Sequence, residues 1–90
     1  MEKPIVNTVI IDDDIEAILV LVELLTAFPA IKIAGTAGNL EDGVKLIKST
    51  HPEIVFLDIN LPGRNGLELY KEFKAPNFKI IFCTANFCLF

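Results

Sequence analysis

The chain has 90 residues, 52% of them hydrophobic, and a formal net charge of −4 at pH 7. This length supports one core and so a single domain over residues 1–90, while the acidic balance and the lack of a lysine or arginine cluster argue against direct nucleic-acid binding. No apolar stretch approaches the roughly 20 residues that cross a bilayer and no secretory signal is visible, so we expect a cytoplasmic protein without membrane contact.

The first predicted elements are a strand and a helix. Residues 6–12 (VNTVIID) are rich in β-branched side chains and end in acids, which predicts a buried strand that leads into a loop. Asp14 is placed to cap the following helix. That helix is predicted over residues 15–28, because Pro29 cannot continue it.

A second strand and helix follow. Residues 31–36 (IKIAGT) alternate well enough to predict a strand. Asn39, with Asp42 three positions later, resembles a capping box that opens a helix over residues 40–50. The helix should end before Pro52, since the residue that precedes a proline disfavours the helical conformation.

The last part of the chain predicts two more strands around a short helix. The strands cover residues 53–58 (EIVFLD) and 78–84 (FKIIFCT), and the helix covers residues 67–73. Strands that alternate with helices, with near-continuous apolar runs, indicate an α/β fold with a parallel sheet and helices on both faces. The predicted order is β-α-β-α-β-α-β.

Acidic and hydroxyl side chains follow the predicted strands. Asp12, Asp13 and Asp14 end the first strand, Asp58 ends the third, and Thr84 ends the fourth. Ligands of open parallel sheets bind beyond these carboxyl ends, and crowded carboxylates favour a cation with oxygen ligands, above all Mg²⁺. Aspartates at strand ends also often only cap a helix or turn the chain, and Asp14 fits that alternative best. The spacing alone does not decide between the two.

Three motifs together resemble the receiver domain of bacterial response regulators. They are IIDDD at residues 10–14, LDINLPGRNG at 57–66 and FCTA at 82–85, each at a predicted strand end. The stretch from Pro52 to Leu69 is also similar to receivers that precede LytTR-type DNA-binding domains. The resemblance implies a flavodoxin-like fold in two-component signal transduction.

The same resemblance implies roles for particular residues. Asp58 would accept a phosphoryl group from a phosphohistidine of a sensor histidine kinase. Asp12, Asp13 and Asp58, with the backbone carbonyl of Asn60, would hold Mg²⁺. The chain would therefore be a phosphoacceptor protein that is not itself an enzyme.

Three further residues receive roles in the same way. Thr84 would contact the phosphoryl group and act as the switch residue, and Pro62 and Gly66 would shape the loop after Asp58. The family also has a lysine after a fifth strand, and no lysine of this chain can be assigned to that position.

The chain departs from the family at its C-terminal end, because a receiver has five strands and five helices. We expect an incomplete receiver that lacks the final helix-strand-helix. The strand over residues 78–84 would then be a sheet edge, and the apolar residues Ile15, Ile18, Leu21, Val22 and Leu25 would be partly exposed. Such surfaces predict self-association through the helix over 15–28 or through that strand.

Two alternatives to phosphoacceptor function stay open. One is a phosphorylation-silent fragment that acts only in interaction or dimerisation. The other is a phosphatase of the haloacid dehalogenase type, which also uses a strand-end aspartate with Mg²⁺. Its DxDx[TV] signature fails here, because Asn60 replaces the aspartate two residues after Asp58 and because Ile15 and Glu16, not Thr or Val, follow Asp14. Cys83 and Cys88 lack metal-ligand spacing, and we expect two reduced thiols.

Overall fold

The computed structural model describes residues 4–61, 63, 66 and 68–84, and the backbone of residues 87–89. The elements in chain order are β1 Val6–Ile11, α1 Ile15–Leu25, β2 Ile31–Ala37, α2 Leu40–Thr50, β3 Ile54–Asp58, α3 Glu68–Lys71, β4 Lys79–Thr84 and β5 Phe87–Leu89. The strands form one sheet in the order β2-β1-β3-β4-β5. β1 to β4 are parallel, which confirms the predicted α/β fold, and β5 is antiparallel to β4.

The sheet carries helices on both faces, as predicted. Successive strand residues point to opposite sides, so Val9 and Ile11 join a core cluster with α2 and α3, whereas Ile10 joins a cluster with α1. The first cluster contains the buried side chains Val9, Ile11, Ala37, Leu40, Ile47, Val55, Leu57, Leu61, Leu69, Phe78 and Ile80. The buried part of the second consists of Ile10, Leu25 and Phe56.

Helix α1 begins where predicted and ends earlier. The Asp14 side chain accepts a hydrogen bond from the Glu16 amide at 2.9 Å, which confirms its capping role. The helix ends at Leu25, because the chain tightens into a turn in which the Phe28 amide donates to the Leu25 carbonyl at 3.0 Å. Phe28 precedes Pro29, a position that disfavours the helical conformation.

Helix α2 has the predicted bounds. The Asn39 side chain accepts from the Asp42 amide at 2.8 Å and donates to the Asp42 carboxylate at 3.1 Å, so the two residues cap the helix as expected. At the other end His51 adopts the left-handed conformation with φ 49° and closes the helix, since its amide donates to the Ile47 carbonyl.

The remaining bounds differ slightly from the prediction. Helix α3 is a single turn, and Glu72 and Phe73 continue it with amide bonds to the carbonyls three residues before them. β2 is one residue longer than predicted. Its register against β1 shifts between Thr8 and Val9, which pair with Ile33 and Gly35, so that the β2 residue between these two has no partner in β1. β3 and β4 each begin one residue later than predicted.

The C-terminal strand was not predicted, and it corrects two expectations. β5 pairs with the last three residues of β4, in the register Phe82↔Leu89, Cys83↔Cys88 and Thr84↔Phe87. The prediction that the whole strand over 78–84 is a free edge is therefore wrong for its second half. The expectation of reduced thiols is wrong for Cys83, which is disulfide-bonded.

Helix α1 leaves apolar side chains in solvent, and the predicted partial exposure is confirmed for Ile15, Ile18, Leu21 and Val22 but is wrong for Leu25. Leu25 is buried, and Ile18, Leu21 and Val22 pack half-buried against the sheet. The exposed large apolar side chains of this region are Ile15, Leu19, Val20, Leu24 and Phe28, each more than half exposed. Among the described residues, no helix has the length and apolar character needed to span a bilayer.

Candidate functional site

The candidate site lies at the carboxyl edge of β1 and β3. These strands are neighbours in the sheet, and the pair Ile11↔Leu57 ends their shared register. Asp12 follows β1 directly and Asp58 is the last residue of β3, so the two aspartates lie side by side at this edge. The Asp12 amide donates to the Ala37 carbonyl at 3.0 Å, which holds this end of β1 against β2.

Three carboxylates meet at this edge. Asp12, Asp13 and Asp58 each offer one oxygen, and these oxygens all lie within 4.8 Å of one another. Asp12 and Asp58 are half-buried and Asp13 is exposed. Asp14 serves as the cap of α1, so the structure separates the capping aspartate from the three that converge.

The crowding of the carboxylates has an electrostatic consequence for Asp12. Burial raises the pKa of its carboxyl group, and the nearby charges of Asp58 and Asp13 and a side-chain hydrogen bond with Asp58 raise it further. A hydrogen bond from the Asp14 amide to Asp12 Oδ1, 2.9 Å long, acts in the opposite direction. The site therefore favours a bound proton or cation over three free negative charges.

The donor chemistry of the site fits a hard divalent cation. Among the described residues, the cluster offers carboxylate oxygens without nitrogen or sulfur, which is the ligand type that Mg²⁺ and Ca²⁺ prefer. A cavity of about 320 Å³ opens beside it, lined by Asp13, Asn39, Leu61 and Gly63 among others. The edge is thus accessible to a ligand from solvent.

Asn60 links the loop after β3 to the end of β4. Its amide donates to Asp58 Oδ1 at 3.0 Å, and its side-chain Nδ2 donates to Thr84 Oγ1 at 3.3 Å. The Ile59 amide donates to the Cys83 carbonyl at 2.9 Å. Thr84 therefore lies at the same edge as Asp58. The bond to the Asn60 side chain was not anticipated, because the sequence analysis considered only the carbonyl of Asn60.

The loop after Asp58 is anchored by small and apolar residues. Leu61 is buried in the core cluster of the α2 face. A Cβ at Gly66 would lie 3.0 Å from Leu57 Cδ2 and 3.3 Å from Phe82 Cε1, so any larger residue here would require these side chains to shift by a few tenths of an ångström. Pro62 lies outside the described residues.

Gly63 is a loop residue that the sequence analysis did not single out. Its φ of 75° is a left-handed conformation that a glycine adopts without strain. The Pro-Gly dipeptide was the available signal, since such pairs form turns with positive φ at the glycine.

Comparison with known proteins identifies the family of this chain. The receiver domain family of response regulators matches residues 8–87. The nitrate/nitrite response regulator protein NarL of Escherichia coli K12 is 33% identical over 67 residues, which is 71% of this chain and 31% of NarL. The chemotaxis protein CheY of Thermotoga maritima is 35% identical over 81 residues, which is 88% of this chain and 67% of CheY. The chain belongs to the response regulator receiver domain family.

Solved structures agree on the fold. The signal receiver domain of a NarL response regulator from Mycobacterium tuberculosis matches with a TM-score of 0.82 and 21% identity, over 92% of this chain and 68% of that one. CheY6 of R. sphaeroides, solved in complex with a domain of CheA3, gives a TM-score of 0.78 and 21% identity over 91% of this chain and 65% of the matched chain. The present chain spans less than a third of NarL of E. coli.

Proposed function

We propose that this receiver domain accepts a phosphoryl group on Asp58 from a phosphohistidine of a sensor histidine kinase. The observation that supports this most is the convergence of Asp12, Asp13 and Asp58 within 4.8 Å at the end of β1 and β3. The unit would comprise residues 1–90, would act in the cytoplasm, and would carry no enzymatic activity of its own. The finer similarity to LytTR-type regulators stays a prediction.

In the proposed reaction a carboxylate oxygen of Asp58 attacks the phosphorus atom of the phosphohistidine. An O–P bond forms, the P–N bond breaks, and the imidazole nitrogen keeps the electron pair. The end of β3 holds Asp58 in position, because the Asn60 amide binds Oδ1 and the Ile59 amide binds the Cys83 carbonyl. A nucleophile on a rigid strand end needs little reordering before attack.

Mg²⁺ is the proposed cofactor. Asp12, Asp13 and Asp58 would hold it, with the backbone carbonyl of Asn60 as a further ligand. When bound, the ion neutralises charge on the carboxylates and on the transferring phosphoryl group. The raised pKa of Asp12 supports this choice, because burial and, after it, the charges of Asp58 and Asp13 disfavour the free carboxylate, and a bound cation offsets both effects.

Thr84 is the proposed contact for the phosphoryl group. Its Oγ1 accepts a hydrogen bond from Asn60, which leaves the hydroxyl proton available for donation to a phosphoryl oxygen. A shift of Thr84 toward the phosphoryl group would break the Asn60 bond and so carry a signal from Asp58 to β4. Gly66, with Pro62, would give the loop the shape that this arrangement requires.

The experiment is incubation of the chain with Mg²⁺ and acetyl phosphate, followed by intact mass spectrometry. We expect one added phosphoryl group on the natural sequence and none on Asp58→Asn. Asp14→Asn is the matched control, because asparagine also caps a helix and Asp14 lies outside the cluster. A folded natural chain without the adduct, or an adduct on Asp58→Asn, would contradict the proposal.

A second candidate is a fragment that is silent to phosphorylation and associates with another copy of itself through α1. The exposed side chains of Leu24 (62%) and Phe28 (57%) favour it. Light scattering over a concentration series would show a mass above that of the monomer, and Leu24→Gln would lower it, whereas Lys45→Gln on α2 would not. A monomer at all concentrations would exclude this candidate.

A further inference from the structure

Two cysteines face each other at the C-terminal hairpin. Cys83 of β4 is disulfide-bonded, and Cys88 of β5, the other cysteine of the chain, is its direct partner in the antiparallel register. Directly opposed residues of antiparallel strands have Cα atoms about 4.5 to 5.5 Å apart, which lies within the range of about 4.4 to 6.8 Å that a disulfide requires. The backbone register therefore places the Cα atoms of the two residues at a separation that a disulfide can span.

We propose that Cys83 and Cys88 form a reversible thiol–disulfide modification site that ties β5 to the end of β4. The oxidant is a low-molecular-weight disulfide such as oxidised glutathione. One cysteine thiolate attacks it and releases a glutathione thiolate, and the second cysteine then displaces the remaining glutathione. One S–S bond forms in the protein, one breaks in glutathione, and the two thiol protons pass to the two glutathione thiolates. Reduced glutathione reverses the reaction.

The site adjoins the acidic cluster. Cys83 is the register partner of Asp58 across β3 and β4, and it packs partly buried on the same face as Ile10 and Phe56. Its carbonyl accepts from the Ile59 amide, and its neighbour Thr84 accepts from Asn60. The backbone position of Cys83 therefore determines how the two residues that follow Asp58 are held.

Oxidation changes how firmly this end of β4 is fixed. β5 has only three residue pairs with β4, and a hairpin of that size is marginal without further support. The disulfide adds a covalent link at the middle pair. Loss of that link lets β5 separate from β4, and the end of β4 then moves more freely against the loop after Asp58.

Reversibility is consistent with the surroundings of Cys83. The residue is only partly buried, so part of its surface is open to a small thiol. Disulfides of cytosolic proteins are usually transient and serve catalysis or redox sensing. The proposal goes beyond the proposed phosphoacceptor function and does not require phosphoryl transfer.

The first measurement follows the covalent change. The chain is equilibrated at low micromolar concentration in glutathione buffers of varied ratio, trapped with a large excess of iodoacetamide at the same pH, and weighed as the intact protein. We expect a monomer two hydrogen atoms lighter and without alkyl groups in oxidising buffer, and two alkyl groups in reducing buffer. Cys83→Ser and Cys88→Ser should each take up one glutathione or one alkyl group. A natural chain that gives mainly mixed disulfides with glutathione, or mainly linked dimers, would overturn the proposal.

The second measurement follows the consequence for β4. Amide hydrogen exchange of Ile59 should be slower in the oxidised chain by about fivefold or more, the lower end of ordinary coupling between sites. The Asp12 amide, which is bonded to Ala37 at the same edge, is the control and should change less. Equal exchange of Ile59 in both redox states would overturn the link to the acidic site. Neither measurement uses Mg²⁺ or a phosphodonor. Both can therefore be interpreted even if Asp58 does not accept a phosphoryl group.

Discussion

The two faces of the sheet differ in how completely helices cover them. On the α2 face, Leu57 and Leu69 are fully buried in a cluster of eleven buried side chains. On the α1 face the buried set is Ile10, Leu25 and Phe56, and the half-buried Ile54 and Ile81 continue it across β3 and β4. Among the described residues, the α2 face therefore has the larger buried core, and α1 is the one helix that packs on the other face. The stability of the chain should depend mainly on the α2 face.

The largest expected effect is a core truncation on the α2 face. Leu57→Ala should lower the free energy of unfolding by about 3 kcal/mol, because a fully buried leucine leaves a cavity that its neighbours cannot fill. Leu21→Ala, on the half-buried inner side of α1, should cost about 1 kcal/mol, since the removed group is already partly solvated. Urea unfolding of the two variants compares them directly. Equal losses would mean that the faces are equally packed.

A smaller effect should come from the close approach of α2 to β1. A Cβ at Gly43 would lie 2.5 Å from Ile11 Cδ1, and Ile11 is fully buried, so its side chain cannot move aside into solvent. Gly43→Ala should therefore give a net loss of about 1 kcal/mol, although alanine favours the helix itself. The clash at Gly35 is with Leu46, which is only half-buried and can shift, so Gly35→Ala should cost less. A Gly43→Ala protein more stable than the natural chain in urea would show that the α2 face has spare room.

The elements that the sequence predicted correctly are those whose signals are local. Asp14 and Asn39 cap their helices through bonds to residues two and three positions away, so their chemistry can be recognised in the sequence. Strand β5 had no such signal. Three residues are too short for a clear alternation, and Ala-Asn is not a dipeptide that favours a tight hairpin. Its pairing with β4 is a tertiary contact.

The candidate site likewise has features that the local sequence predicts and features that depend on tertiary contacts. That acids follow the strands is visible in the sequence, but the meeting of Asp12 with Asp58 requires β1 and β3 to be neighbours, which their spacing does not determine. The resemblance to receiver domains supplied that arrangement. The bond between Asn60 and Thr84 joins residues 24 positions apart and has no counterpart in a local pattern.

The cluster of Asp12, Asp13 and Asp58 at the carboxyl ends of β1 and β3, between the two faces of the sheet, should make the free energy of unfolding depend on pH. The raised pKa of Asp12 means that the folded chain binds a proton more tightly than the unfolded chain does. Without divalent cations, the free energy of unfolding should therefore fall as the pH rises from the ordinary value of 3.8 through the raised pKa of Asp12. Asp12→Asn removes this group and should reduce the slope. Urea unfolding at a series of pH values, with a chelator present, measures both proteins, and identical slopes would contradict the assignment.

The smallest effect is expected on the outer side of α1. Leu19 is 62% exposed, so Leu19→Gln removes little buried area and should change the free energy of unfolding by no more than about 0.5 kcal/mol. Leu25→Gln is the matched variant on the same helix. Leu25 is 8% exposed and packs with Ile10 and Phe56, so an amide there is buried and should cost several times as much. A large loss for Leu19→Gln, measured in the same urea titration below the concentration at which copies associate, would mean that the Leu19 side chain is packed within the single chain and is not exposed. The α1 face of the sheet would then be better packed, and the contrast between the two faces smaller, than the exposed fractions of their side chains indicate.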